Sequence, residues 1–230
     1  MTLYEEYPQQ IAAVDVQIEK CLASFEPKTL DEPPTTGKKR RKKPTANHPN
    51  FDLHSLLYRM AGVDFTLIDG LDALTVQTIL SEVGLNPKRF PSVKHFTSWL
   101  GLCPGQKVTG GKVKSSKTRI VVNRAANAFP MAAFSRSSQP FALGGFYRRL
   151  RSRLKAPKAI TATAHKLARL FYQIWTTAGR YSDPGMDYYE QKYQDLILKN
   201  LQKKAQAFGL QLVPKSQDES EASFSPTPST

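Results

Sequence analysis

The stretch Ile68-Asp-Gly-Leu-Asp-Ala-Leu-Thr-Val-Gln-Thr-Ile-Leu-Ser-Glu-Val-Gly84 reads as a glycine turn that opens into a helix and stops at a second glycine. Ile79, Leu80 and Val83 lie at helical spacing behind the turn, and Gly84 is a stop signal. Upstream, Leu53, Leu56, Leu57 and Met60 predict a short helix. Two helices joined through a tight corner set the pattern for the rest of the chain.

Downstream, a helix is expected from Val93 to Leu100, with Ser92 as its N-cap and Gly101 closing it. Lys107-Val-Thr-Gly-Gly-Lys-Val-Lys114 places a Gly-Gly pair between two short β-prone runs, the signal of a tight hairpin. Further helices are expected over 117–136, 143–154, 157–178 and 186–208. Pro130 should kink or end the first of these, Pro157 opens the third at a tolerated position, and Gly209 ends the last. The fold class is therefore mainly α: a helical domain with one short β-hairpin. The Ile68–Leu71 corner resembles the turn of a helix-hairpin-helix, where backbone N–H groups meet a phosphate at a helix start. Asp69 and Asp72 flank that turn and oppose an anion, so a plain helix-helix corner is the competing reading.

Residues 2–26 read as a leading helix. Thr2 and Glu5 have capping-box spacing, and Tyr4, Tyr7, Ile11, Val14, Ile18, Cys21 and Phe25 step by three and four. That is a coiled-coil-like seam of three heptads, or the buried face of an amphipathic helix. Residues 27–50 are a proline-punctuated linker with Lys38-Lys-Arg-Arg-Lys-Lys43 at its centre, either a solvated strap or a phosphate-binding one. The expected organisation is 1–26 assembly helix, 27–50 basic linker, 51–212 helical domain and 213–230 disordered tail.

Charge narrows the function. The chain carries a net +14, and from Val83 to Ser182 there is no Asp or Glu in a hundred residues, against nineteen Lys and Arg. An ordinary domain mixes both signs, so this excess calls for an external polyanion. Aromatic residues and small donors are interleaved, as phosphate and base contacts require. A nucleic-acid-binding surface is expected from Lys107, Gly110, Gly111, Lys112, Lys114, Lys117, Arg119, Arg124, Arg148, Arg149 and Arg151. The same stretch offers no carboxylate pair for metal binding or acid-base work. His48, His54, His95 and His165 have no ligand spacing, and Cys21 and Cys103 give no zinc site. His165 reads as a packed or surface helix residue. With no run of 18 apolar residues and no signal peptide, neither a spanning helix nor membrane binding is expected.

These blocks together resemble the C-terminal domain of the insertion sequence 110 family of transposases, the 116/902 group. The resemblance is carried by Ile68–Gly84, by Phe90-Pro-Ser-Val-Lys-His-Phe-Thr-Ser-Trp-Leu-Gly-Leu-Cys-Pro104, by Thr109-Gly-Gly-Lys112 and by the Arg-rich helices through Ala164-His-Lys-Leu-Ala-Arg169. It covers about 51–210. It implies strand exchange in DNA transposition, by phosphoryl transfer to a hydroxyl, in a bacterial cytoplasm on the nucleoid. It also implies a resolvase-like domain with four acidic metal ligands, a coiled coil for assembly, and a structured guide RNA. This sequence departs from that pattern twice. The acidic domain is absent, so no cofactor is expected in this chain and Mg²⁺ only in the domain it lacks. Val108-Thr109 also stands where relatives carry Ser-Ser. Thr109 is then the candidate nucleophile, with Ser115 and Ser116 as alternatives. Expected partners are DNA, a guide RNA, and a second copy or a full-length transposase. The rival readings are a catalytically inactive relic that binds nucleic acid, and a structural RNA-binding protein.

Overall fold

A computed structural model describes residues 3–33, 48–135, 142–178 and 186–213. Among them are eight α-helices and one two-stranded hairpin: α1 (Leu3–Ala23), α2 (Leu53–Ala61), α3 (Ala73–Val83), α4 (Val93–Trp99), β1 (Lys107–Thr109), β2 (Lys112–Ser115), α5 (Arg124–Ser135), α6 (Ala142–Arg153), α7 (Ala156–Thr177) and α8 (Met186–Ala207). Short 3-10 turns lie at Phe65–Leu67 and Pro87–Arg89. The mainly helical fold with one hairpin is the one expected. Contacts divide the chain into two compact units, 1–188 and 189–230. The proposed cap at Thr2, the Lys38–Lys43 run and the tail from 214 lie outside the described residues.

The first unit is organised around α7. Ala159, Thr163, Ala164, Leu167, Ala168, Phe171, Ile174 and Trp175 make one buried stripe at the helical repeat. Against it pack α4, α5 and α6, and α3 reaches it through α5. Small residues at Ala125, Ala142, Ala159, Ala164 and Ala168, all fully buried, let these helices approach closely. The large volume is aromatic. Phe96 stacks on Phe171 with centroids 6.0 Å apart and meets Phe90 and Phe129 edge-on at 5.1 and 6.2 Å. Phe65 also stacks on Phe171, at 4.1 Å. Deleting one such ring typically costs about 3–5 kcal/mol. The Tyr172 hydroxyl donates to the Phe90 carbonyl at 2.7 Å, so the rim of the cluster is also hydrogen-bonded.

Local sequence sets the helix ends. Asp52, Asp72 and Ser92 accept the N–H of the residue three positions on, capping α2, α3 and α4. Asp64 caps the 3-10 turn and is buried. Its Oδ1 accepts from Thr66 N–H at 2.9 Å and the Thr66 hydroxyl at 2.6 Å, and lies 3.0 Å from His54 Nε2. Burial pushes its carboxyl up, but the bonds from His54 and Thr66 and the His54 charge outweigh that, leaving it below its ordinary 3.8.

At two places the structure differs from the sequence reading. The helix expected from 117 begins at Arg124, because Ile120-Val-Val122 is a β-branched run and Asn123 then caps the helix by accepting from Ala126 N–H. That helix also runs past Pro130 to Ser135, its loss of one hydrogen bond outweighed by burial of Ala125, Phe129, Ala132 and Ala133. The start of the linker is packed on the helices. Lys28 N–H donates to the Arg59 carbonyl and its ammonium to the Leu85 carbonyl, both at 2.8 Å.

Helix α4 ends in a Schellman motif: Leu102 N–H bonds Thr97 O, and Gly101 N–H bonds Ser98 O, both at 3.0 Å. Gly101 has φ +66°, and a Cβ there would sit 2.6 Å from a Val121 methyl and 2.8 Å from the Arg119 carbonyl. The chain leaving the hairpin is thus laid against bare backbone. Gly101→Ala is expected to destabilise the protein by about 2–3 kcal/mol, from the left-handed backbone plus the clash. Denaturant unfolding checks this; an unchanged midpoint would show that the contact is not made.

Candidate nucleic-acid interface

The hairpin turns at Gly110 and Gly111, with φ +58° and +72°. Two successive positive φ values are the type I′ geometry that suits strand twist, and glycine adopts them without strain. A Cβ at either would meet nothing within 4 Å, so the backbone here is bare and approachable. The register pairs Thr109 with Lys112, Val108 with Val113 and Lys107 with Ser115. Lys114 is the extra residue of a β-bulge. The arm continues at its base through a bridge between Pro104 and Thr118 and a 3.0 Å bond from Gly105 N–H to the Lys117 carbonyl.

Cross-strand partners share a face. Val108 and Val113 therefore occupy one face of the ribbon, and Lys107, Thr109, Lys112 and Ser115 the other. Without the bulge, Ser115 would fall on the valine face; the extra residue turns it to the lysines. Every residue of β1 and β2 is exposed except Ser115, which is half-buried. The Ser115 hydroxyl accepts from Lys117 N–H at 3.3 Å. Thr109 and Ser116 are exposed, and among the described residues their hydroxyls have no hydrogen-bond partner. Ser116 lies beyond the ladder.

The other expected contact residues fall into two groups. Lys117 and Arg119 stand at the arm's base, where Arg119 Nη2 donates to the Ser98 carbonyl at 3.0 Å. Arg148, Arg149 and Arg151 lie on α6, with the Arg149 guanidinium 5.7 Å from the Phe146 ring centre. Arg148 and Arg151 are exposed, and so are Arg153, Lys155 and Lys158, which continue this row through the α6–α7 corner. The sequence list omitted these last three, although the acid-free count already contained them.

Arg124 is placed differently from its neighbours. Its Nε donates to Glu82 Oε1 at 2.8 Å and its backbone N–H to the same oxygen at 3.4 Å. Glu82, the last acid before the acid-free stretch, therefore occupies the start of α5, and the Arg124 bond holds its carboxyl below the ordinary value. His165 is half-buried on α7. Burial first, then Arg169 and Lys166, pull its pKa below the ordinary histidine value. Among the described residues no three His, Cys, Asp or Glu side chains are gathered, and no helix is long and apolar enough to cross a membrane.

Lys112 is unengaged at the ribbon tip, whereas Arg124 already holds a carboxylate. On a DNA duplex, Lys112→Ala should lower the slope of log affinity against log salt by about 1. Arg124→Ala should change it less. Equal losses in salt titrations would show that Glu82 yields Arg124 to the ligand.

One family model matches part of the chain, including the hairpin arm. Residues 64–142, from the Asp64 cap to the start of α6, match the family model described as Transposase IS116/IS110/IS902 family. No curated protein matches the chain.

Proposed function

We propose, from the premise that residues 64–142 are a transposase domain of the IS116/IS110/IS902 family, that this chain binds DNA and takes part in strand exchange through a hydroxyl on its hairpin arm. The observation that carries the reading is the gathering of Thr109 and Ser115 on the same ribbon face as Lys107 and Lys112, inside a hundred residues without an acid.

In the proposed step the Thr109 oxygen attacks a backbone phosphorus. An O–P bond forms to threonine, the bond from phosphorus to a deoxyribose oxygen breaks, and the hydroxyl proton passes through solvent to that leaving oxygen. Lys107 and Lys112 stabilise the charge gathering on the phosphoryl oxygens, and the two glycines let the backbone approach. Divalent metal belongs, in this reading, to acidic residues of another domain, and a structured RNA is a further partner.

Trapping a covalent adduct in the presence of a complete transposase, and mapping it by mass spectrometry, tests the assignment. Modification at Thr109 is the expected result. Modification at Ser115 or Ser116 moves the nucleophile along the arm. DNA binding with no adduct on any of the three, while transposition proceeds, favours a second reading. In that reading the chain binds nucleic acid without reacting, consistent with the lack of a hydrogen-bonded base at Thr109.

Assembly is proposed to run through α1. Tyr7, Ile11, Val14 and Phe25 are 60, 59, 51 and 44% exposed, whereas Ala12, Asp15, Ile18 and Leu22 turn partly inward, and α1 packs on α2. The helix thus has an inner face and an apolar outer seam, which suits pairing with a second copy. Ile11→Asp or Val14→Asp should convert an oligomer to a monomer, since an unpaired charge in such a seam is strongly unfavourable. Light scattering reads this directly, and a monomeric unmutated chain refutes it.

A further inference from the structure

We propose that the β1–β2 arm is held between two DNA segments, its valine face in the major groove of one and its lysine-hydroxyl face on the backbone of the other. This rests on the reading above, that the chain acts on DNA. Val108 and Val113 are cross-strand partners, 55 and 56% exposed. Scattered surface valines need no account. These two sit side by side on a ribbon that also exposes its opposite face. Past the arm's base Ile120 and Val122 are also exposed, at 84 and 98%, while Val121 turns in against Gly101.

Charge selects the occupant. Lys107 and Lys112 lie on the ribbon's other face, Lys114 at the bulge and Lys117 and Arg119 at the arm's base, and no acid lies within the arm. A second copy of the arm would bring like charges together, whereas a polyanion is complementary. A two-stranded ribbon fits the major groove, about 12 Å wide, and the apolar group exposed there is the thymine methyl. With the valines on the groove floor, Thr109, Ser115, Lys107 and Lys112 face away from that duplex. Strand exchange needs two DNA segments, and an arm with two unlike exposed faces meets one on each side.

The test compares a mixed-sequence duplex with the same duplex in which uracil replaces every thymine, removing only the methyl groups. The intact chain should bind the uracil duplex roughly three- to tenfold more weakly, with an unchanged salt slope. Val108→Ser with Val113→Ser removes every γ-methyl and should abolish that discrimination. Lys107→Ala with Lys112→Ala should lower the salt slope and keep it. Equal binding of both duplexes by the intact chain overturns the proposal. So does a change in molar mass of the valine variant without DNA, which would mark a contact between copies. No binding of either duplex instead removes the DNA reading on which the proposal stands.

Discussion

The aromatic contact between Phe96 and Phe171 is the constraint on which the first unit rests. Nineteen cations with no acid among them repel one another over a hundred residues, and hydrophobic burial must exceed that repulsion. Phe96 and Phe171 are both fully buried, and each meets rings from other elements: Phe65 from the 3-10 turn, Phe90 ahead of α4, Phe129 from α5. The contacts of Phe171 with Phe65, Phe96 and Phe129 join segments distant in sequence, so losing that ring loosens several elements at once. The cations are correspondingly driven outward, to the arm and the α6–α7 corner.

Order at the core is passed to the arm through α4. Phe96 fixes the helix, Ser92 and Gly101 set its ends, and the Gly101 backbone receives Val121 as the chain returns from the hairpin. Arg119 adds a bond to the Ser98 carbonyl, and Asn123 and Glu82 then start α5. The arm is therefore an exposed ribbon with two fixed ends. Such a device keeps its hydroxyls and lysines in a set relation to one another while leaving them open to a large ligand.

Much of this was legible in the sequence because the signals were local. The Gly-Gly pair announced the hairpin, and Ser92 and Gly101 bracketed α4. What was hidden depends on contacts across the chain. Ile120-Val-Val122 looks permissible in a helix until Gly101 is seen to receive Val121 in an extended segment. Arg124 looks like a free phosphate ligand until Glu82, forty-two residues earlier, is found on it. The period of three and four in α1 put Ile18 in one seam with Ile11 and Val14, whereas Ile18 turns partly inward and Ile11 and Val14 are exposed. Pro130 was misleading because its penalty is local while the compensating burial of Phe129 is tertiary.

The bulge at Lys114 was the least legible feature and bears most on the chemistry. Strand alternation alone would set Thr109 and Ser115 on opposite faces of the ribbon, so that only one could meet a given phosphate. One inserted residue restores Ser115 to the face of Thr109 and the paired lysines. The arm then presents two hydroxyls of unlike character: a secondary one exposed at the tip, and a primary one half-buried and held by the Lys117 N–H. A backbone phosphate reaching the tip meets Thr109 first, beside Lys112 and two glycines with open space above them. Reaching Ser115 requires the strand to run along the ribbon toward Lys107. In the proposed reaction the choice between the hydroxyls is thus a question of how far along the arm the DNA backbone lies, so that register, more than intrinsic nucleophilicity, decides it.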